Sequence, residues 1–185
     1  TFDNLTYAIT RIYANGHNIT VNDNVTTPWS WSAYGLYAGG NQTATETAGT
    51  TITVNAGNFE IVASGNGGTS LTGDVTVNVG GTAKVELAGA YIKATVNGDV
   101  RFNLDGSQGA ALTTFLGEQD GGTIDGALTL KIIGAPTIGS NGTFKASVNK
   151  ENFGTLDLSE ADASVSAERF SGFETVNAAA SSEAA

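Results

Sequence analysis

The chain of 185 residues is acidic, with 18 Asp and Glu residues, eight Lys and Arg residues and a formal net charge of -10. This balance argues against a nucleic-acid-binding surface, which needs clustered Lys and Arg, and against docking on anionic membranes. The absence of cysteine excludes disulfides and thiolate metal sites, and no apolar run reaches the length of about 18 residues that a membrane span needs.

The first predicted element, residues 1–16, lacks the phrase that fills the rest of the chain, and we expect it to cap or continue a stack of coils. Beyond it, Thr-Val-Asn or a variant of it returns in copies that begin at Thr20, Thr53, Thr76, Arg101, Thr129, Thr155 and Thr175. By subtraction, their starts lie 33, 23, 25, 28, 26 and 20 positions apart. Intervals of about 20–50 residues are typical of stacked-coil proteins.

Alternation of apolar and polar residues in and around each copy predicts a strand with one buried face. The residues expected to point inward are Ile19 and Val21, Ile52 and Val54, Val75 and Val77, Val100 and Phe102, and Leu128 and Leu130. The Thr of each copy should point to water and stack on the Thr of the next coil. A ladder of stacked side-chain amides is predicted for Asn22, Asn55, Asn78, Asn103 and Asn177.

Two further strands complete each predicted coil. After Gly57 and Gly81, alternation places inward Phe59 and Ile61, then Val85 and Leu87. A third strand, clearest at residues 91–96, leads into a corner that needs positive φ or close backbone approach, and its glycine is Gly73, Gly98, Gly126 or Gly172. Residues 110–115 are a poor strand copy.

These elements predict an all-β fold, a right-handed parallel β-helix (solenoid) of about six to seven coils over residues 17–177. An antiparallel sandwich also has short strands, but it has no reason to repeat one phrase at coil-length spacing. Residues 178–185 are of low complexity and should form a flexible tail or linker. Because the chain begins at Thr1 without a leader, we expect a processed product or an excised fragment of a longer protein.

The glycine-punctuated segment 68–81, GTSLTGDVTVNVGG, resembles the β-helical repeats of bacterial cell-surface proteins, including autotransporter passengers and adhesins. The resemblance covers roughly residues 17–177 and concerns the style of the repeat, with no catalytic motif. It implies export and display at the cell surface, as an extracellular structural or adhesive module. The implied partners are host or bacterial glycan or protein surfaces, without membrane insertion.

An aromatic insertion is the best candidate binding site in the sequence. It lies between Asn22 and Thr53 and contributes Trp29, Trp31, Tyr34 and Tyr37. Exposed aromatic side chains recognise sugars and proteins because they offer a large contact area and lose little entropy. The alternative is a loop that folds back over the N-terminal end of the stack.

Acidic residues suggest two further candidates. Glu118, Asp120 and Asp125 could bind Ca²⁺, the one cofactor that the sequence suggests; their spacing fits no standard calcium loop, and solvated acids are the alternative. Asp74 and Asp99 occupy equivalent positions in consecutive coils, roughly 5 Å apart, as in retaining glycosidases.

Catalysis has little other support, because His17 is the single histidine and no nucleophile or metal motif accompanies it. The sequence therefore favours a non-enzymatic module. A carbohydrate-active β-helix enzyme is the first alternative function. The second is a fibre subunit that self-associates end to end through the open ends of the stack.

Overall fold

The structure is a computed structural model that describes residues 11–23, 34–41, 45–46 and 49–179. The predicted cap is therefore described only from Arg11 and the predicted tail only to Ala179. In chain order, the strands of the described residues are β1 (Arg11–Tyr13), β2 (Ile19–Val21), β3 (Tyr34–Tyr37), β4 (Thr45–Glu46), β5 (Thr50–Val54), β6 (Asn58–Val62), β7 (Ser70–Leu71), β8 (Val75–Val79), β9 (Lys84–Ala90), β10 (Thr95–Val96), β11 (Val100–Asp105), β12 (Ala111–Glu118), β13 (Thr123–Ile124), β14 (Leu128–Gly134), β15 (Thr137–Ile138), β16 (Phe144–Lys145), β17 (Thr155–Ala161) and β18 (Thr175–Asn177). One 3₁₀ turn, Ala167–Arg169, is the only helical segment in these ranges.

The strands form three sheets, and all of their pairings are parallel. The first sheet has the order β18-β17-β14-β11-β8-β5-β2. The second has the order β1-β3-β6-β9-β12-β15, with β16 also on β12, and the third has the order β13-β10-β7-β4. The chain passes from sheet to sheet and makes about five turns of a parallel β-solenoid, so the predicted parallel stacking is confirmed.

The core is a column of inward side chains enclosed by the three sheets. The ten residues predicted to point inward from the first sheet are at most 5 % exposed, and Phe59, Ile61, Val85 and Leu87 of the second sheet are at most 2 % exposed. Near the middle of the column the rings of Phe102 and Phe115 meet edge to face, with centroids 5.4 Å apart. Period-two alternation therefore identified the buried face of both sheets.

The predicted Thr column is wrong at one step, between β5 and β8. Thr20 pairs with Thr53 as predicted, but Thr53 pairs with Asn78 and Thr51 pairs with Thr76. A shift of two residues keeps every inward side chain inward, because the side-chain period of a strand is two. It also divides the predicted Asn ladder into two hydrogen-bonded pairs, Asn55 on Asn22 and Asn103 on Asn78, each at 2.9 Å.

The predicted third strand is shorter than expected. Only Thr95–Val96 of residues 91–96 is a strand, since Ile92 and Lys93 have positive φ values of 44° and 59° and form a turn. The glycine corner is confirmed at Gly172, which has a φ of 74°. It is also confirmed at Gly98, where an added Cβ would lie 2.6 Å from the carbonyl carbon of Gly73.

Candidate functional site

The predicted aromatic site falls mostly outside the described residues. Trp29 and Trp31 lie outside them, and only the backbone of Tyr34, in β3, is described. Tyr37 is 3 % exposed, and its ring centroid lies 5.1 Å from that of Tyr13. Burial raises the pKa of the Tyr37 hydroxyl. A binding surface formed by these four aromatic residues stays a prediction.

Glu118, the first of the predicted calcium ligands, takes part in a buried hydrogen-bond network. This fully buried carboxylate accepts hydrogen bonds at Oε1 from the backbone N–H of Ile124 (2.8 Å) and from Lys150 Nζ (2.7 Å). Its Oε2 accepts one from Ser147 Oγ at 2.8 Å. Lys150 Nζ also lies 4.0 Å from the ring centroid of Phe153. Glu118 is thus one half of an ion pair that joins two coils.

The other two predicted calcium ligands, Asp120 and Asp125, are exposed. Across the described part of the chain, the structure brings no three Asp, Glu or His side chains together in a group that could hold a metal ion. The Ca²⁺ site at Glu118, Asp120 and Asp125 has no such grouping behind it and stays a prediction.

Asp74 and Asp99 lie at equivalent positions of consecutive coils, and each hydrogen-bonds the backbone of the next coil. Asp74 Oδ1 accepts from the N–H of Asp99 at 2.8 Å, and Asp99 Oδ1 accepts from the N–H of Ala127 at 2.9 Å. Asn18, two coils before Asp74, accepts the equivalent bond from the N–H of Thr51 at 2.9 Å. These side chains satisfy backbone donors at a corner where the strand ladder begins.

A groove on the outer face of the second sheet is the strongest candidate site. Its lining consists of Glu60, Glu86, Leu87, Ala88, Tyr91, Thr114, Leu116, Gln119 and Asp120. Glu60 on β6 pairs in register with Glu86 on β9, which pairs with Thr114 on β12. Two residues further along the same strands, Ala88 pairs with Leu116. An acidic column and an apolar column therefore run side by side.

The neighbouring apolar column is largely covered although it faces outward. Because Leu36, Ile61 and Leu87 belong to the core, the residues that follow them in their strands point to the other face of the sheet. Those residues are Tyr37, Val62 and Ala88, which form a second apolar cluster with Tyr13 and Tyr91 packed against it. The apolar edge of the groove itself is therefore Leu116, which is half-buried, beside the small exposed part of Ala88.

The wall of the groove is built from two stacked turns. The N–H of Lys93 donates to the carbonyl of Asp120 at 3.2 Å, and both residues have positive φ, as has Ile92. Positive φ is an unfavourable conformation for a β-branched residue such as isoleucine, and such strain clusters at binding sites. These turns place the ring of Tyr91 and the amide of Gln119 beside the acidic column.

The two carboxylates of the acidic column lie close enough to repel each other. Adjacent strands lie about 4.8 Å apart, so in-register Glu60 and Glu86 repel each other. Burial, and then the charge of Glu86, raises the pKa of Glu60, while the guanidinium of Arg11 opposes the shift. The ion pairs within the described residues are Lys131–Glu160 and Lys150–Glu118, so neither glutamate of the groove belongs to one.

No family model matches the chain, and neither a curated protein nor a solved structure gives a significant match. Within the described ranges, no helix has the length and apolar character needed to cross a membrane.

Sequence reasoning missed the Glu60–Glu86 pair, although the chain contained a signal. Both glutamates stand between two inward apolar residues, and they lie 26 positions apart, 86 minus 60, which is one coil. Equal phase in two successive coils predicts stacking in a parallel solenoid. What the sequence did not contain was the turn geometry that makes this face concave.

Proposed function

We propose that this chain is a non-enzymatic, extracellular β-solenoid module of a bacterial surface protein, which displays a binding surface on a stiff column. The observation that carries the proposal is the groove on the second sheet, where paired carboxylates, a tyrosine ring and apolar side chains meet. Concave sites with an apolar lining and a few convergent polar groups are typical ligand sites. Display at the cell surface is supported by the resemblance of the repeats.

The proposal includes a right-handed winding and six to seven coils for the whole chain. Right-handed connections between parallel strands of one sheet are strongly favoured, because strands twist to the right. The seven strands of the first sheet support the coil number. A crystal structure with a left-handed superhelix would refute this part of the proposal.

Cell labelling tests the function. The purified chain, joined to a fluorescent protein, should label bacterial or host cells, and antibodies against it should label intact cells that produce the parent protein. Glu86→Gln should reduce labelling by the chain, whereas Glu174→Gln, at an exposed residue outside the groove, should not. Labelling that is absent, or equal for both variants, would contradict a binding role for the groove.

A carbohydrate-active enzyme is the second candidate, and the Glu60–Glu86 pair is the observation that favours it. Retaining glycosidases use two carboxyl groups about 5–5.5 Å apart, one of them with a raised pKa. Asp74 and Asp99 suit this role less well, because each accepts a backbone hydrogen bond. Release of reducing ends from a polysaccharide panel, lost in Glu60→Gln and Glu86→Gln, would establish the enzyme instead of the binding module.

End-to-end association is a third candidate, favoured by Val176. This residue pairs with fully buried Leu156 in the inward column, yet it is 47 % exposed. An uncovered core position at a sheet edge can pair with another chain. Light scattering of the purified chain tests this candidate, and a monomer at all concentrations would exclude it.

A further inference from the structure

We propose that the groove binds a lysine side chain of a partner protein, with the ammonium between the carboxylates of Glu60 and Glu86. The methylene stem then lies along Ala88 and Leu116, beside the ring of Tyr91. This inference rests on the proposed surface-binding function and names the chemistry that the groove recognises.

The need for a cation follows from how the outward columns of the solenoid stack. Elsewhere, neighbouring coils place complementary groups in contact: Asn103 donates to Asn78 at 2.9 Å, and Lys131 forms an ion pair with Glu160. At Glu60 and Glu86 the same in-register geometry opposes two like charges. A cation between them removes the repulsion and supplies the acceptors with donors.

Lysine is favoured because the chain itself pairs a lysine with a carboxylate beside an aromatic ring. Lys150 Nζ lies 2.7 Å from the Glu118 carboxylate, 3.1 Å from the carbonyl of Ile124 and 4.0 Å from the centroid of the Phe153 ring. The groove offers carboxylates, a tyrosine ring and an apolar edge, and lacks the ammonium. An ammonium carries three donors on a compact charge, which suits two stacked carboxylates, whereas a planar guanidinium suits one carboxylate held side-on.

The cationic side chains around the groove do not fill this position. Lys84 lies two residues before Glu86 in β9 and faces the same way, but the ion pairs of the described residues do not include it. Arg11 belongs to the same outward column, but Gly35 lies between it and Glu60 in the register. The charge of Arg11 lowers the pKa of the Glu60 carboxyl, but burial and the charge of Glu86 raise it by more. The net charge of -10 further favours a basic partner.

An NMR titration of the full chain with Nα-acetyl-lysinamide tests the inference. We expect saturable shifts confined to the groove, and an affinity at least about tenfold lower for both Glu60→Gln and Glu86→Gln, the loss of one charged hydrogen bond. Glu174→Gln should bind like the wild type, and circular dichroism should show all variants folded.

Four results would overturn the inference. They are equal binding of Nα,Nε-diacetyl-lysinamide, tighter binding of Nα-acetyl-argininamide, tighter binding of glucosamine, and shifts that spread over the acidic surface without saturation. Cell labelling that depends on Glu86 but is not competed by Nα-acetyl-lysinamide would reject lysine and leave the surface-binding function standing. Saturable lysinamide binding without cell labelling would reject that function and retain the lysine site.

Discussion

Replacing Lys150 by methionine should destabilise the solenoid more than replacing Glu118 by glutamine. Methionine keeps an apolar stem near Phe153 but leaves the fully buried Glu118 carboxylate with only the donors of Ile124 and Ser147. Removing one partner of a buried ion pair costs about 3–5 kcal/mol. Because the Lys150 side chain is 41 % exposed, water screens the pair in part, and we expect the lower end, about 3 kcal/mol.

Glu118→Gln should cost about 1.5–3 kcal/mol, the value of a charged hydrogen bond, because Lys150 can then turn to water. The double variant should cost less than the sum of the two single variants, since each removes the same interaction. Equilibrium urea unfolding followed by far-UV circular dichroism measures all three. Lys84→Met, at an exposed lysine of β9, is the control and should stay within about 0.5 kcal/mol of the wild type. A Lys150→Met loss no larger than that of the control would refute the reasoning.

Further unfolding experiments test the core, a corner and the acidic column. Phe102→Ala should cost about 3–5 kcal/mol of unfolding free energy, because Phe102 is fully buried in the column. Its control, Val176→Ala at a residue 47 % exposed, should cost less than about 1 kcal/mol. Equal losses would contradict a continuous core. Gly98→Ala should cost about 1–3 kcal/mol, since its Cβ would lie 2.6 Å from a backbone carbonyl carbon, while Gly139→Ala, whose nearest contact would be 3.4 Å, is the control. Glu60→Gln should stabilise the fold at neutral pH by about 0.2–1 kcal/mol by removing a like-charge pair. The raised pKa of Glu60 means that the folded state binds this proton more tightly, so the wild type loses stability as the pH rises through that pKa; an advantage of the variant that is unchanged below the ordinary glutamate range would contradict this assignment.

The parallel solenoid could be predicted because its coils must match one another. In register, Val77 meets Phe102 and Phe102 meets Leu130, so each coil needs an apolar residue at the same phase. This requirement repeats a phrase along the chain, and the phrase can be read without coordinates. It also explains why the inward residues were identified correctly although the coil length varies.

The register shift between β5 and β8 could not be read from the same pattern. Residues 50–54 read TTITV, so a shift of two residues exchanges one threonine for another and one apolar residue for another. Both registers pair apolar residues on the inward face, and the pattern alone does not reveal that the observed register sets the buried Thr50 opposite Val75. A similar limit applies to β12, where a bulge between Leu112 and Thr114 breaks the alternation that would have revealed the strand.

Contacts between coils were the hardest part of the sites to predict. Glu118 was grouped with acidic residues near it in sequence, but its partner Lys150 lies 32 positions away. The turn at Ile92 and Lys93 was hidden in an apparently regular alternation, since no residue type there favours positive φ. Local spacing describes a strand well, but it does not determine which side chains meet across turns of unequal length.

Two pairs of stacked acidic residues differ in whether the solenoid itself uses their carboxylate oxygens. Asp74 and Asp99 resemble a catalytic pair in spacing alone, but their oxygens accept hydrogen bonds from the next coil and so stabilise the ladder. Glu60 and Glu86 stack in the same parallel geometry as two like charges beside a concave surface. Stacked residues that hydrogen-bond the next coil stabilise the fold without a ligand. Stacked like charges destabilise the fold, and a bound ligand of opposite charge can offset that cost. Of these two pairs, only Glu60 and Glu86 form an outward column that is not complementary within itself, which is why we propose the binding site there.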